Sequence, residues 1–232
     1  MNFRVERMND KERVAKQAAT LVDDGMVVGL GTGSTADYFI AELARRVNEE
    51  GLKVTAVASS VVSMLKAQEA GLQLVAIEHL AQLDLYVDGA DEVTSDNTLL
   101  KGQGADLVKE KLLAKASGQF IVLVDQSKMV NRIGERFPVP VEVIPFAWQL
   151  VKQNLEQLGG QCELRKNSNG NGLAVSSHGS LILDAVFDQN INSAQLDALL
   201  NSTPGVVEHG VFYQLADIVM LAIDGEVKEI VS

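Results

Sequence analysis

The chain has 232 residues, 47% of them hydrophobic and 22% charged, with a formal net charge of −11. That composition supplies a packed core and leaves no case for disorder, and the excess of carboxylates argues against sequence-independent nucleic-acid binding, which needs cations to neutralise phosphates. No apolar run approaches the roughly 18 residues that span a bilayer, the opening MNFRVERMNDKERV has no apolar signal core, and Cys162, the single cysteine, excludes an internal disulfide.

These features predict a cytoplasmic protein with no membrane partner, and Cys162 reads as a small core residue. From Asp10 to Leu21, apolar residues at helical spacing (Val14, Ala18, Leu21) predict an amphipathic helix with Asp10 as N-cap. Met26–Leu30 reads as a short buried strand. It runs into Gly31-Thr32-Gly33-Ser34-Thr35 and a helix from about Ala36 to Val47.

A strand, a turn of glycines and hydroxyls and a helix can form an anion cradle. Glycine permits close backbone approach, and the free N–H groups at the helix start face the ligand. A phosphate is the expected ligand, although the turn lacks the lysine of a nucleotide-triphosphate loop. A bare structural turn is the competing reading.

Lys53–Ala58 and Leu72–Ile77 read as further strands, with a helix over Ser60–Ala70 between them. Strand and helix alternate, which predicts a predominantly parallel sheet with ligands at the carboxyl ends of its strands. The apolar run at Leu83, Leu85, Tyr86 and Val87 ends in Asp88-Gly89-Ala90-Asp91-Glu92, at such a strand end. Lys101-Gly102-Gln103-Gly104 then offers a cation and a glycine-rich turn ahead of a helix, Ala105–Ala116, that carries Glu110. Gln119–Val124 is a strongly apolar strand followed by Asp125-Gln126-Ser127-Lys128.

Three of the four prolines fall within residues 137–145, which marks a linker and a domain boundary at Phe137. Beyond it, helices over Ala147–Leu158 and Asn192–Asn201 and short strands over Cys162–Lys166, Leu173–Ser176 and Leu181–Ala185 predict an α+β domain. Val206–Phe212, Ile218–Ile223 and Val227–Val231 are strand-like. They either return to the first domain or pair with a partner chain. The expected organisation is α/β: a domain over 1–136, completed by 206–232, and a smaller α+β domain over 137–205. His79, His178 and His209 lack metal-ligand spacing and read as surface or turn residues.

GLGTGSTA (29–36), YVDGADEV (86–93), KGQGADLVKEK (101–111), VDQSK (124–128), FPVPVEVIP (137–145) and TPGVVEHGVF (203–212) occur in an order that resembles the ribose-5-phosphate isomerase A family over nearly the whole chain. The resemblance implies a Rossmann-like catalytic domain, no cofactor, no metal, and a homodimer or homotetramer. It also implies interconversion of D-ribose 5-phosphate and D-ribulose 5-phosphate in the non-oxidative pentose phosphate pathway. Two positions depart from the family pattern: Gln103 interrupts the glycine run, and Asp106 stands where a small residue is common. A left-handed Gln103 would cost about 1 kcal/mol relative to glycine.

Such an aldose–ketose isomerisation needs a base, an electrophile for the enediolate and a phosphate anchor. The resemblance makes Glu110 the proton-transfer base, Asp88 and Asp91 the sugar-contacting aspartates, and Lys101 the enediolate-stabilising cation with the N–H groups of Gly102–Gly104. It places Thr32, Gly33, Ser34, Thr35, Gly89, Ala90, Gln103 and Lys128 against substrate, with Lys11 as a further phosphate candidate. Without it, Glu110 reads as a solvated helix glutamate beside Lys111 or Lys115, Lys101 and Lys11 as surface lysines, the aspartates as turn residues and Glu92 as loop support. The rival readings are a non-catalytic sugar-phosphate sensor, which would keep the phosphate turn without needing Glu110 or Lys101, and a coenzyme A transferase with a covalent glutamate.

Overall fold

A computed structural model of the chain describes residues 9–187 and 190–231; the extension ahead of the first helix, to which the sequence assigns no role, lies outside them. The elements begin with α1 (Asp10–Ala19), β1 (Val27–Leu30), α2 (Ser34–Arg45), β2 (Thr55–Ala58), α3 (Val61–Glu69) and β3 (Leu83–Gly89). They continue with β4 (Glu92–Val93), β5 (Leu99–Leu100), α4 (Leu107–Ala116), β6 (Ser117–Asp125), β7 (Val139–Val143), α5 (Trp148–Gln157) and β8 (Gln161–Leu164). The last are β9 (Leu181–Val186), α6 (Ser193–Ser202), β10 (Val206–His209), β11 (Val211–Phe212), β12 (Ile218–Ile223) and β13 (Glu226–Val231).

The chain forms two compact units. The first runs to Gly89 and adds Ala116–Ser127 and Asp217–Val231; the second comprises Ala90–Lys115 and Lys128–Ala216. This division differs from the expected boundary at Phe137. The reason is hydrogen bonding: β4 and β5 pair with β11 in a three-stranded antiparallel sheet, so residues on both sides of Phe137 share one unit.

In the first unit, six strands in the order β13-β12-β6-β3-β1-β2 form the expected predominantly parallel sheet, with only β13 antiparallel. The parallel strands are apolar because both faces are covered; Val28, Val87, Ile121 and Met220 join Val14, Phe39 and Leu43 in one core. Gly29 is required by packing, since a Cβ there would lie 2.6 Å from the Tyr86 ring. The final strands return to this sheet through a turn in which Asp224 and Gly225 both have positive φ, and the edge strand is shielded by Glu226, Lys228 and Glu229. The expected strand at Leu72–Ile77 is reduced to a bridge from Leu74 to Ala56, and Ile77–His79 is a 3-10 turn. Gln73 and Ala76 are exposed, so this segment lies as a short outer edge beside β2. The N-cap of α1 is Asn9, which accepts the Glu12 N–H at 2.8 Å, and not Asp10.

In the second unit, β10-β7-β9-β8 form an antiparallel sheet. The proline-rich stretch is no linker: β7 is an interior strand, fully buried, with Val139, Val141 and Val143 in the core beside Val151, Leu155, Leu183 and Leu200. The proline count masked this alternation. Pro140 donates no N–H to the sheet, but its carbonyl still accepts the Gly210 N–H at 2.8 Å. The expected strand at Leu173–Ser176 shrinks to isolated bridges, and Val206–Phe212 is two strands broken at Gly210. A Cβ on Gly210 would lie 2.3 Å from the Lys101 carbonyl. Cys162 is a core residue, and burial lifts its thiol pKa to about 11.

Glu92 carries the structural role read for it. Its fully buried carboxylate accepts the N–H groups of Gly134 (2.7 Å), Arg136 (2.6 Å) and Phe137 (2.9 Å). Removing the acceptor leaves three donors unpaired, so Glu92→Ala will lower unfolding free energy by about 3 kcal/mol, measured as a reduced urea midpoint at unchanged slope.

Candidate active site

In the first unit the site residues gather at the carboxyl ends of β1 and β3. Gly31 leaves β1 donating its N–H to the Val87 carbonyl at 2.8 Å, and a Cβ on it would lie 2.1 Å from Asp88 Oδ1. Only glycine allows the turn to lie against that carboxylate. Asp88 is itself fully enclosed: it accepts the N–H groups of Thr32 (3.1 Å) and Gly89 (2.7 Å) and the Tyr86 hydroxyl, while Tyr86 is stacked on Phe120. Its carboxylate therefore fixes the turn to the strand end.

Thr32 donates its hydroxyl to Ser60 Oγ at 2.6 Å, and Ser60 caps α3, which ties the turn to a second helix start. Gly33 has φ of 110° and is the N-cap of α2, with no side chain capping it; Gly33 and Ser34 are exposed. The first N–H groups of α2 and the positive end of its dipole are thus presented to an anion. Lys11 Nζ sits 2.8 Å from Ser34 Oγ, so α1 contributes a cation to the same turn. A cavity of about 470 Å³ is lined by Lys11, Asp125, Gln126, Ser127 and Asp224.

In the second unit Glu110 and Lys101 meet. Glu110 lies on the inner face of α4, 6% exposed, and its Oε2 is 3.3 Å from Nζ of Lys101, which is 4% exposed. Neither is the solvated side chain that position alone suggested. Lys101 is held by its own N–H, which donates to the Gly210 carbonyl at 2.9 Å, and its ammonium lies 5.8 Å from the Phe212 ring centroid. Asp91 donates its N–H to the Leu100 carbonyl at 2.8 Å, and its Oδ2 accepts the Gln103 N–H at 3.3 Å.

The left-handed positions of the turn are Gly102 (φ 103°) and Ala105 (φ 62°). Gln103 is not among them, so the backbone cost considered for it does not arise; a Cβ on Gly102 would strike Leu107 at 2.2 Å. Gln103 and Gly104 are exposed, and Asp106 accepts the Ser177 hydroxyl, which gives that departure a local partner. Ala90 is half-buried ahead of Asp91, and Lys128 ends a 3-10 turn, Gln126–Lys128, also half-buried.

Sequence reasoning missed the support behind this pair. Lys111, 3% exposed, donates to Glu208 Oε1 (2.6 Å) and the His209 carbonyl (2.7 Å) and lies 4.9 Å from the Phe212 centroid. Burial lowers its pKa below the ordinary lysine value, against the pull of Glu208. His209, expected as a surface or turn residue, is fully buried and neutral, its pKa pushed down to about 2, first by burial and then by Lys111 and Lys115. Glu208, His209 and Phe212 fall in the strand-like TPGVVEHGVF motif at 203–212, which carries part of the family resemblance but assigns none of them a place beside Lys101 or Lys111. A larger cavity in this unit, about 680 Å³, is lined by residues including Asp96, Arg132, Asn192 and Tyr213 and by none of the expected site residues.

Solved structures that share this fold over nearly the whole chain are isomerases. One, from Methanocaldococcus jannaschii, is a ribose 5-phosphate isomerase A with a TM-score of 0.91 and 38% identity, covering 96% of this chain and 98% of its own. Another, a D-ribose-5-phosphate isomerase in complex with phospho-erythronic acid, has a TM-score of 0.92 and 37% identity, covering 97% of this chain and 100% of its own. Among curated relatives, ribose-5-phosphate isomerase A of Methanothermobacter thermautotrophicus is 46% identical over 214 residues, 92% of this chain and 93% of that protein. The family model for ribose 5-phosphate isomerase A (phosphoriboisomerase A) matches residues 55–225. The chain belongs to the ribose-5-phosphate isomerase A family. Among the described residues, no helix is long and apolar enough to cross a membrane.

Proposed function

We propose that this chain interconverts D-ribose 5-phosphate and D-ribulose 5-phosphate by moving a proton between C2 and C1 of the open-chain sugar through an enediolate. The observation that carries the reading is the enclosed Glu110 carboxylate 3.3 Å from the Lys101 ammonium, a base beside an electrophile. Glu110 takes the proton from one carbon and returns it to the other, and Lys101 stabilises the charge that develops on oxygen. The N–H of Gly104, and that of Gln103 when it turns from Asp91 Oδ2 at 3.3 Å to the substrate, add donors for the same oxygens.

Asp91, half-buried beside that turn, contacts the sugar hydroxyls and handles the proton released in ring opening. Asp88 holds the Thr32–Thr35 turn and Gly89 in place, since its carboxylate already serves three donors. The α2 N-terminus binds the phosphate with Lys11, and Ala90 and Lys128 complete the substrate contacts. The reaction needs no cofactor and no metal. The protein works in the cytoplasm as a homodimer or homotetramer, in keeping with strongly exposed apolar side chains at Phe146 and Leu150.

The test is incubation with ribose 5-phosphate in heavy water. The expected result is ketose phosphate carrying solvent deuterium on C1, because a carboxylic acid exchanges its proton before returning it. Saturable binding of ribose 5-phosphate with no ketose formed would replace the enzyme by a sugar-phosphate sensor.

A further inference from the structure

We infer that Arg165 is a positioning residue for the Gly102–Gly104 turn, fixing which way its N–H groups point. The inference rests on the proposed role of that turn as a donor to the enediolate oxygens. The Arg165 guanidinium reaches two consecutive backbone carbonyls: Nη1 donates to Gly102 O at 2.8 Å and to Gln103 O at 3.3 Å. Its remaining nitrogens grip one carboxylate, with Nε 3.1 and 3.0 Å from the two Asp184 oxygens and Nη2 2.5 Å from Oδ1. Arg165 follows β8 and donates its N–H to the Ile182 carbonyl at 2.8 Å, while Asp184 sits inside β9, so the fork is anchored to the sheet and not to the turn. The planar guanidinium presents both edges at once, a geometry a lysine ammonium lacks.

A trans peptide places its C=O and N–H on opposite sides. Capturing the Gly102 carbonyl therefore aims the Gln103 N–H away from Arg165, and that N–H is found on Asp91 Oδ2 at 3.3 Å. Capturing the Gln103 carbonyl aims the Gly104 N–H away from Arg165 as well. Successive carbonyls alternate in an extended strand, so two that converge on one nitrogen require a turned backbone, supplied by Gly102 at φ 103°. Charge adds to geometry: a cation at the carbonyl end polarises each peptide group and strengthens the N–H at its other end. Arg165 lies far along the chain from the turn, and nothing in its local sequence marks it.

Arg165→Lys is the direct test, because it keeps a cation for Asp184 but cannot hold both carbonyls and the carboxylate. We expect kcat for ribose 5-phosphate to fall about 10- to 100-fold, as for a misplaced oxyanion donor, with KM changed by no more than about threefold. Affinity for phospho-erythronic acid, whose carboxylate mimics enediolate charge, should fall in parallel, while protection by inorganic phosphate stays at the parental level. A purely structural role would lower the unfolding midpoint and weaken both ligands together, and that pattern overturns the inference, as does kcat within about twofold of the parent.

Should Arg165→Lys fail to fold, Asp184→Asn releases the guanidinium at unchanged side-chain size and is held to the same two criteria. Glu110→Gln measured alongside separates the two levels of the argument. If it destroys turnover while Arg165→Lys does not, only the positioning role is lost; if it leaves turnover intact, the proposed chemistry of the site is lost first.

Discussion

Replacing Glu110 with glutamine will lower kcat for ribose 5-phosphate by about 10³-fold and leave KM within about threefold of the parent. The amide occupies the space of the carboxylate, so the packing of α4 survives. What disappears is the ability to accept a proton, and general acid–base groups typically contribute between 10² and 10⁴ to the rate. Because the glutamate is 6% exposed and 3.3 Å from the Lys101 ammonium, its loss also removes a negative charge from beside that buried cation. Breaking an enclosed pair by removing one member costs stability, so the assays belong well below the unfolding midpoint of the variant. Steady-state rates with ribose 5-phosphate, and binding of phospho-erythronic acid to the same preparation, check both halves. Turnover equal to the parent would take the base role from Glu110. Loss of binding without loss of kcat would make it a ground-state contact.

The Gly31–Thr35 turn and the end of β3 were legible because their requirements are local. Glycines, hydroxyls and a following helix announce an N-terminal anion site, and an apolar run stopping at an acidic residue announces a strand end. The same locality explains what was lost. β7 was read as a linker because prolines are local signals of breakage, whereas its interior place depends on β9 and β10, which come much later in the chain. Glu110 and Lys111 look like adjacent surface charges on a helix; each is enclosed because a distant partner, Lys101 or Glu208, meets it. His209 was misread for the same reason, since a lone histidine in a short strand-like run gives no sign of which distant elements enclose it. Arg165 and Asp184 could not be read at all, because one guanidinium on two remote carbonyls leaves no pattern in the sequence.

Lys101→Met is the complementary substitution, and its effect should fall on kcat far more than on KM. Methionine keeps most of the length of the apolar stem while removing the charge, and the backbone N–H of residue 101 still donates to the Gly210 carbonyl. If the ammonium interacts mainly with charge that exists only in the enediolate, its loss raises the barrier without weakening the ground-state complex. The expected fall is about 10²-fold in kcat, the range seen when one preorganised donor to a developing oxyanion is removed, with KM within about threefold. A KM rise at constant kcat would instead make Lys101 a binder of the neutral sugar. Combining Lys101→Met with Glu110→Gln sharpens the point. Groups acting on one transition state are strongly non-additive, so the double variant should be hardly slower than Glu110→Gln alone: once no proton is removed, no enediolate forms for the ammonium to stabilise. Independent losses that multiply would mean that the 3.3 Å contact between the two side chains serves the fold and not the reaction.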